Sequence, residues 1–443
     1  MASTTRGRCI LRLLALQCVT FCLVLITYDW GKDGGTQPMA FMRESFGNLQ
    51  WHRVDVPSDT LLRKDASANP HNRGVVICVH EGNFAAALSL VTELACLGTE
   101  LPVELHHCTE RELPSDLAAV LKHAAFTHVR VVNSCALAAD HGIPRPPLFA
   151  TPRDAWMKPL ALYTSTFDHV MILDAHTLLL RNPSVIWTDA GYEASGSYFF
   201  RQRNLLTDAN AGGRYTHLLR KYTDLYHLDT SVEAVNLELS DAFTQHLSSS
   251  FEALQTVDPS LLVVHKTRYG DRLPKLLKNL IGQAHRDPSF AWLTPHDAIF
   301  AVFELMHKPF HVATYGANTL NAPRDVELHP TVFCGPVAQR WIAPSVQVSK
   351  SLFYVHAATL LDTRPIPTNE KLYSYQGYID VPSNVTSLRL PSLFKEVSEY
   401  PTCFADVQRH EALPADFFRA LARRRAHYHA LALGTFHGLT ACS

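Results

Sequence analysis

The chain has 443 residues, with 40 Lys and Arg against 41 Asp and Glu, 47% hydrophobic residues and 18% charged residues. This balance supplies a large apolar core and excludes a mostly disordered chain, a collagen and a polytopic membrane protein. Because a general nucleic-acid binder needs a surplus of positive charge, the net charge of −1 argues against that class as well.

The N-terminal segment has a skewed composition. Residues 1–12 contain three arginines and no acid, and residues 13–28 carry no charge. A cleaved signal peptide has a shorter apolar core and a small-x-small cleavage site. The length of this segment, with Tyr28 and Trp30 at its end, favours an uncleaved signal anchor instead. Since the positive side stays cytoplasmic, we expect a single-pass type II protein with a lumenal body.

The chain after the anchor divides into three further segments. We predict a cytoplasmic tail at 1–12, a transmembrane anchor at 13–30, a stem at 31–72, a catalytic domain at 73–400 and a C-terminal helical extension at 401–443. The extension carries the basic triplet Arg423-Arg424-Arg425, which we interpret as a solvated helix face. Asn384-Val385-Thr386 is a glycosylation acceptor, consistent with a lumenal loop.

Seven of the ten cysteines follow the predicted anchor, and none of them has C-x-x-C spacing. The absence of that spacing argues against a zinc site. In an oxidising lumen the seven cysteines allow one to three disulfides, and the sequence does not predict which cysteines pair. Cys78 lies inside an apolar run, so we predict that it is a buried free thiol.

The predicted elements of the body alternate between strands and helices. The strands are 75–79, 101–105, 129–132, 170–173, 261–264 and 352–355, and the helices are 84–97, 114–125, 156–165, 273–280, 296–306 and 414–433. Short continuous apolar runs separated by helices are typical of an α/β fold with a parallel sheet. Ligands of such sheets lie at the carboxyl ends of the strands, so a pocket should begin at residues 79–83.

The first residues that indicate chemistry stand where the fourth predicted strand ends. In Leu173-Asp174-Ala175-His176 the carboxylate and the imidazole are two positions apart, so an extended chain points both to one face. One divalent ion can bind both, and mixed oxygen and nitrogen ligands suit Mn²⁺. The alternative interpretation is structural, with Asp174 capping a turn and His176 packed under a loop.

The stretch KPLALYTSTFDHVMILDAHTLLLRNP, residues 158–183, resembles the donor-binding region of GT-A glycosyltransferases. Within those it is most similar to the fungal-type Golgi α-mannosyltransferases that build mannan side chains. Further segments match that family in its order: GVVICVHEGNFAAALSLVTELACLGTELPVEL, DPSLLVVHK, TPHDAIFAVFELMHKPFHV, VFCGPVAQ and LFYVHAATL. The resemblance covers roughly residues 73–360.

The resemblance implies a GT-A-like α/β fold, in which helices flank a central, mostly parallel sheet, and a place in the Golgi membrane. It implies transfer of a hexose, most simply mannose from GDP-mannose, to a glycan or glycoprotein acceptor with retention. A divalent cation such as Mn²⁺ would be the cofactor, held by Asp174, His176 and His356. Asp174 would also face the nucleotide ribose.

The resemblance also implies further contacts with the substrates. The nucleoside would lie against Val79, His80, Glu81 and Gly82. Gln339 would belong to the packing around the acceptor or the metal.

Catalytic roles would fall on Lys158, Asp258 and Asp297. Lys158 would lie near the diphosphate or sugar, and Asp258 and Asp297 would orient the acceptor hydroxyl. Each also has a structural alternative: Lys158 as a surface lysine, for example, or Asp297 as an acid stabilised by the helix dipole.

Several positions depart from the family pattern. The family's D-A-D is Asp174-Ala175-His176, its S-G is Pro259-Ser260, and the acid before its lysine is His265. Replacing a carboxylate by an imidazole removes one negative charge from the metal site. These departures leave two alternatives open: a non-catalytic lumenal protein with the same fold, or a transferase that uses a UDP-sugar.

Overall fold

Strands and helices alternate from the first described residue onwards. The computed structural model describes residues 72–123, 126–143, 153–206, 254–284, 295–313, 316–333, 335–341, 351–356, 358–361, 377–380, 391–392, 403–404, 407, 409–432 and 442. The predicted tail, anchor and most of the stem, residues 1–71, lie outside this set, as does the glycosylation acceptor Asn384. None of the helices among the described residues combines the length and the apolar character that spanning a bilayer requires.

The described strands are β1 (Arg73–Cys78), β2 (Val103–His107), β3 (Val129–Asn133), β4 (His169–Leu173), β5 (Thr177–Leu179), β6 (Ser197–Leu206), β7 (Leu254–His265), β8 (Asn318–Asn321), β9 (Val337–Trp341), β10 (Ser351–His356), β11 (Tyr378–Asp380), β12 (Pro391–Ser392), β13 (Cys403–Phe404) and β14 (His410–Ala412). The described helices are α1 (Phe84–Cys96), α2 (Ser115–Val120), α3 (Ser134–Asp140), α4 (Arg153–Thr164), α5 (Ala190–Ser195), α6 (Lys266–Tyr269), α7 (Arg272–Ala284), α8 (Pro295–Met306), α9 (Pro323–Leu328), α10 (Ala358–Leu361) and α11 (Ala415–Ala432).

The first sheet has six strands in the order β3-β2-β1-β4-β7-β6. The four strands β3, β2, β1 and β4 are parallel, whereas β7 runs antiparallel to β4 and β6 antiparallel to β7. The α/β class is therefore confirmed, but the prediction of a mostly parallel sheet is wrong, because the sheet is mixed. Continuous apolar runs reveal that a strand is buried on both faces but not the direction in which it runs.

The second sheet also has six strands, in the order β14-β11-β8-β9-β10-β5, and its neighbours are antiparallel. Its edge strand β5 follows β4 of the first sheet after only three residues, Asp174 to His176. That turn therefore joins the two sheets. A separate pair, β12 and β13, is also antiparallel.

The helix after β1 forms as the apolar pattern predicts. A 3₁₀ turn at Glu81–Asn83 leads into α1, and every residue from Phe84 to Leu94 is buried. Gly98, with φ of 75°, follows the end of this helix in the left-handed region that glycine adopts at little cost.

The apolar core lies on both faces of the first sheet. Alternate residues such as Val76, Ile172 and Leu262 face one cluster, which α4, α7 and α8 complete. Their neighbours on the strands face a second cluster that includes α1 and side chains of β10. This alternation is the period-2 geometry of a strand, in which successive side chains point to opposite faces of the sheet.

Two disulfides occur among the described cysteines, within the range that the sequence predicts. Cys108 pairs with Cys135, and Cys96 at the end of α1 pairs with Cys442. Cys78 is outside both disulfides, as predicted, but it is only partly buried rather than buried.

The terminal helix α11 forms where the sequence predicts it, but its basic triplet is not a solvated face. Arg424 is 0% exposed and Arg425 is 4% exposed. Arg423 forms an ion pair with the buried carboxylate of Glu93 on α1. The triplet packs inward because α1 and α10 supply acceptors from distant parts of the sequence, which local charge patterning does not reveal.

Candidate functional site

The carboxyl ends of β1 and β4 lie side by side. The two strands pair in register with Ile77 opposite Leu173. The chain after β1, residues 79–82, and the turn after β4 therefore leave the sheet at the same edge. The structure thus brings Val79–Gly82 and Asp174 to one edge, as the sequence predicts.

The backbone of Asp174 is held by the neighbouring strand β7. Its N–H donates to the carbonyl of Ser260 at 2.9 Å, and the N–H of Thr177 donates to the carbonyl of Asp174 at 3.0 Å. The hydroxyl of Thr177 also donates to the Ser260 carbonyl, at 3.2 Å. This tight turn directs the Asp174 carboxylate away from the core, and 24% of that side chain is exposed.

Two imidazoles and an ammonium surround the Asp174 carboxylate. Its Oδ1 lies 3.4 Å from Nδ1 of His176 and 3.2 Å from Nε2 of His356, and it accepts a hydrogen bond from the His176 N–H at 3.0 Å. Its Oδ2 accepts from Nζ of Lys158 at 2.9 Å. His356 is brought here because the last residue of β10 pairs with Thr177 of β5.

The charges of this cluster shift its titration. Burial opposes ionisation of Asp174, but the positive charges of Lys158 and His356 outweigh it and hold the pKa of the carboxyl well below its ordinary value. For His356, burial lowers the pKa, but the Asp174 carboxylate outweighs burial and raises it. The carboxylate is therefore ionised at neutral pH, as a metal ligand must be.

The types of donor in this cluster suit a divalent transition-metal ion. Lys158 engages Oδ2, so Oδ1 of Asp174 remains directed at the two imidazoles, and one oxygen and two nitrogen donors suit Mn²⁺ and its neighbours. About a quarter to a third of each imidazole is exposed, at 26% for His176 and 34% for His356. The metal-ligand roles of these three residues stay a prediction.

Lys158 is not a surface lysine, because it is 6% exposed. Besides Asp174, its ammonium donates to the carbonyl of Pro259 at 2.9 Å. Lys158 therefore links the turn after β4 to β7, and its predicted contact with the diphosphate or sugar stays untested.

Asp258 lies beneath this edge of the sheet and is 1% exposed. Its Oδ1 accepts from the N–H of Ser260 at 2.9 Å, and its Oδ2 accepts from Nε2 of Gln339 at 2.8 Å and from the hydroxyl of Tyr354 at 3.0 Å. The carboxylate thus supports the segment that holds Asp174 and Lys158. Its predicted contact with an acceptor stays untested.

The predicted nucleoside segment forms a capped turn. The N–H of His80 donates to Oδ1 of Asn83 at 2.8 Å, and Nδ1 of His80 accepts from the N–H of Gly82 at 3.0 Å. Glu81 begins the 3₁₀ turn, and Val79 is 2% exposed. The contacts of this segment with a nucleoside stay a prediction.

Asp297 belongs to the first turn of α8. Its side chain lies outside the described residues, so its predicted catalytic role is not tested.

A second group of possible ligands lies at the opposite end of β4. Ligand atoms of Asp168, His169 and His265 lie within 4.8 Å of one another. The two rings stack with centroids 3.7 Å apart and planes 18° apart, so their in-plane lone pairs do not converge on one point. Tyr192 and Thr267 hydrogen-bond these side chains, and we assign the group a structural role.

The supporting contacts of the site differ in how far the sequence could predict them. Tyr354 could have been found, because it precedes His356 by two positions and alternation places both on one face of β10. The carbonyl of Ser260 and the side chain of Arg424 carry no such signal, since their partners lie far away in the chain.

The fold and site together define an α/β protein with an Asp-His-His cluster at the carboxyl edge of its first sheet. A family model described as "Mannosyltransferase putative" matches residues 72–334, which is more than half of the chain. The chain belongs to this family.

A curated relative is the Alpha-1,2-mannosyltransferase MNN21 of Candida albicans (strain SC5314 / ATCC MYA-2876). It is 23% identical over 253 residues, a match that covers 52% of this chain and 36% of the relative. The chain thus spans only about a third of that relative's length. The match confirms the resemblance to fungal mannosyltransferases and marks this chain as a divergent relative.

Two solved glycosyltransferase structures also show similarity. The galactosyltransferase LgtC, in complex with donor and acceptor sugar analogs, is 14% identical with a TM-score of 0.29, covering 52% of this chain and 70% of that one. Mouse xyloside xylosyltransferase 1 in its apo form is 12% identical with a TM-score of 0.33, covering 55% and 86%. Because both TM-scores are below 0.5, these likenesses do not assign a fold.

Proposed function

We propose that this protein is a metal-dependent mannosyltransferase with a GT-A-like fold, which moves mannose from GDP-mannose to a glycan acceptor. The observation that carries the proposal is that Oδ1 of Asp174 lies 3.4 Å from Nδ1 of His176 and 3.2 Å from Nε2 of His356, in a chain that belongs to a mannosyltransferase family. In α/β sheets, nucleotide ligands bind at the carboxyl edge where this cluster lies.

The cluster suits the electrostatic demand of glycosyl transfer. When bound, a divalent cation supplies Lewis-acid stabilisation of the nucleotide diphosphate as it leaves. Asp174, His176 and His356 would hold this ion, and Lys158 fixes the Asp174 carboxylate through Oδ2. We also propose that transfer retains the anomeric configuration, so that an α-linked donor gives an α-linked product. NMR of the product's anomeric proton measures this configuration.

The proposed compartment is the Golgi lumen. Supporting it are the apolar segment of residues 13–28, which suits a signal anchor, and the disulfides Cys96–Cys442 and Cys108–Cys135. Structural disulfides are typical of secretory compartments and rare in the cytosol.

The test supplies the purified full-length protein with GDP-mannose, Mn²⁺ and a mannobiose acceptor. We expect transfer that EDTA abolishes and Mn²⁺ restores. We expect Asp174→Asn to lower the rate by about 100-fold or more, because the amide removes the charge that holds the ion. Full activity of Asp174→Asn would contradict the proposed site.

The matched control is Asp168→Asn, the same substitution just before β4 at its other end. Its carboxylate bonds Thr267 and lies at the opposite edge of the sheet, so transfer and its Mn²⁺ dependence should remain close to those of the wild type. A panel of GDP- and UDP-sugars runs beside it. If the protein transfers a sugar from a UDP-sugar and not from GDP-mannose, the proposed donor is wrong but the proposed site still stands.

A further inference from the structure

The side chain of Arg424 connects the terminal helix to the turn that carries the candidate site. Its Nη1 donates to the carbonyl of Ala86 at 3.1 Å and to the hydroxyl of Ser89, both on α1. Its Nη2 donates to the carbonyl of Ala175 at 2.9 Å and lies 3.5 Å from the carbonyl of Thr177. One guanidinium therefore spans two elements that are far apart in the sequence.

A fully buried guanidinium is costly unless its donors are engaged. Burial lowers the pKa of Arg424 to about 10, against the opposing effect of Glu93, so the group still carries its charge at neutral pH. Its acceptors are three carbonyls and one hydroxyl. The charge is thus stabilised by the dipoles of the very backbone segment that it holds.

Two of these acceptors belong to the turn that carries Asp174 and His176, so Arg424 can affect the direction of both side chains. Ala175 stands between Asp174 and His176, and Thr177 pairs with His356 across β5 and β10. If the Ala175 carbonyl rotates, the two neighbouring side chains change their relative direction. The backbone of this turn is otherwise held from the other side, by the carbonyl of Ser260.

We propose that Arg424 is a positioning residue that fixes the Asp174–Thr177 turn, so that Asp174 and His176 can act together on a metal ion. The link between Arg424 and metal binding rests on the proposed function. The hydrogen bonds by which Arg424 fixes the turn do not depend on it.

The proposal makes the terminal helix part of the site. The family match ends at residue 334, whereas α11 begins at Ala415. Arg423 forms an ion pair with Glu93 on α1, and a disulfide joins Cys96 at the end of α1 to Cys442, which follows α11 in the chain.

The test compares Arg424→Lys with Arg423→Lys. Both variants keep a positive charge on α11 and replace a forked guanidinium by a single nitrogen. The two guanidinium nitrogens bond α1 and the turn separately, and a lysine has only one nitrogen, so Arg424→Lys should weaken the contact with the turn. Arg423 contacts Glu93 and the carbonyl of Cys442, so its variant should leave the turn unchanged.

The first measurement is amide hydrogen exchange of the full chain, read by mass spectrometry on peptides that contain residues 176 and 177. We expect exchange there to rise about tenfold or more in Arg424→Lys, the effect of losing one charge-assisted hydrogen bond, and to stay as in the wild type in Arg423→Lys. Equal exchange in Arg424→Lys and the wild type would overturn the proposal.

The second measurement is binding of Mn²⁺ alone, followed by its EPR signal. We expect the Kd to rise about tenfold in Arg424→Lys, as for residues that orient metal ligands, and to stay unchanged in Arg423→Lys. Faster exchange in a protein whose wild type binds no Mn²⁺ would refute the proposed function and leave the hold on the turn standing. Faster exchange with unaltered Mn²⁺ affinity would refute the positioning role.

A milder variant covers the case in which Arg424→Lys does not fold. Ser89→Ala removes one acceptor of Arg424 on α1 and leaves the carbonyl of Ala86. We expect the same two changes, each about threefold, reflecting a weaker contribution from one neutral acceptor. No change in exchange at residues 176 and 177 in this variant would also count against the proposal.

Discussion

Glu104 illustrates how a single buried carboxylate can control acid stability. The side chain is 1% exposed, lies 3.0 Å from Nε2 of His106 and accepts from the hydroxyl of Thr166 at 2.5 Å. Burial alone would raise its pKa, but these hydrogen bonds and the charge of His106 lower the pKa to about 2. The same burial lowers the pKa of His106.

The lowered pKa predicts a loss of stability in acid. Because the pKa of Glu104 is lower in the folded than in the unfolded chain, its contribution to stability is present above about pH 5 and declines as the pH falls towards 2. Glu104→Gln should therefore cost more unfolding free energy at pH 7 than at pH 3, by about 1 kcal/mol, measured by urea denaturation.

The control for this prediction is Glu110→Gln, since Glu110 is exposed. Its unfolding free energy should follow that of the wild type across the same pH range. If Glu104→Gln lowers the unfolding free energy equally at pH 7 and pH 3, the contribution of Glu104 to stability comes from packing and not from its charge.

At the scale of residues, spacing could predict Asp174 and His176, because two positions along an extended chain share a face. His356 followed from the family resemblance, and it arrives at the cluster only through the pairing of β10 with β5. Arg424 could not be predicted, because a run of three arginines on a helix has the local pattern of a solvated surface. Its burial depends on acceptors more than 240 residues away, at Ala175 and Ala86.

At the scale of elements, β10 and β7 are coupled through Tyr354 and Asp258. Tyr354 is 0% exposed, and its hydroxyl donates to Oδ2 of Asp258 at 3.0 Å. Tyr354→Phe should lower the unfolding free energy by about 1.5–3 kcal/mol, the contribution of a hydrogen bond to a charged group. It should also weaken Mn²⁺ binding several-fold, because Asp258 supports the segment that holds Asp174.

Tyr192→Phe is the matched control, because Tyr192 is also buried and its hydroxyl lies 2.6 Å from Nδ1 of His169 at the other end of β4. We expect a comparable loss in unfolding free energy with unchanged Mn²⁺ affinity. If both variants weaken Mn²⁺ binding equally, general destabilisation explains the effect and the coupling from β10 to the site does not exist.

The elements themselves follow the sequence closely in the first sheet. The strand, helix and strand from 73 to 107 lie within two residues of their predicted bounds, since long apolar runs and the glycine after α1 mark them. The directions of β6 and β7 could not be predicted, and of the second sheet only β10 was predicted, as the strand 352–355. The other strands of that sheet are short and pair at long range, so local periodicity does not reveal them.

At the scale of the whole molecule, the disulfide between Cys96 and Cys442 closes a loop with a sequence separation of 346 residues, against 27 for Cys108 and Cys135. If each bond acts mainly on the entropy of the unfolded chain, the longer loop should contribute about 2 kcal/mol more, from 1.5RT times the logarithm of the length ratio.

We therefore expect Cys96→Ser/Cys442→Ser to lower the unfolding free energy by about 2 kcal/mol more than Cys108→Ser/Cys135→Ser, measured by urea denaturation of the oxidised proteins. The first variant should also speed amide exchange at residues 176 and 177, because it loosens α11 and with it Arg424. The second should not, since its bond joins the residue after β2 to α3 and does not involve the C-terminal end of the chain. Equal exchange in the two variants would mean that the turn is held without help from the C-terminal end of the chain.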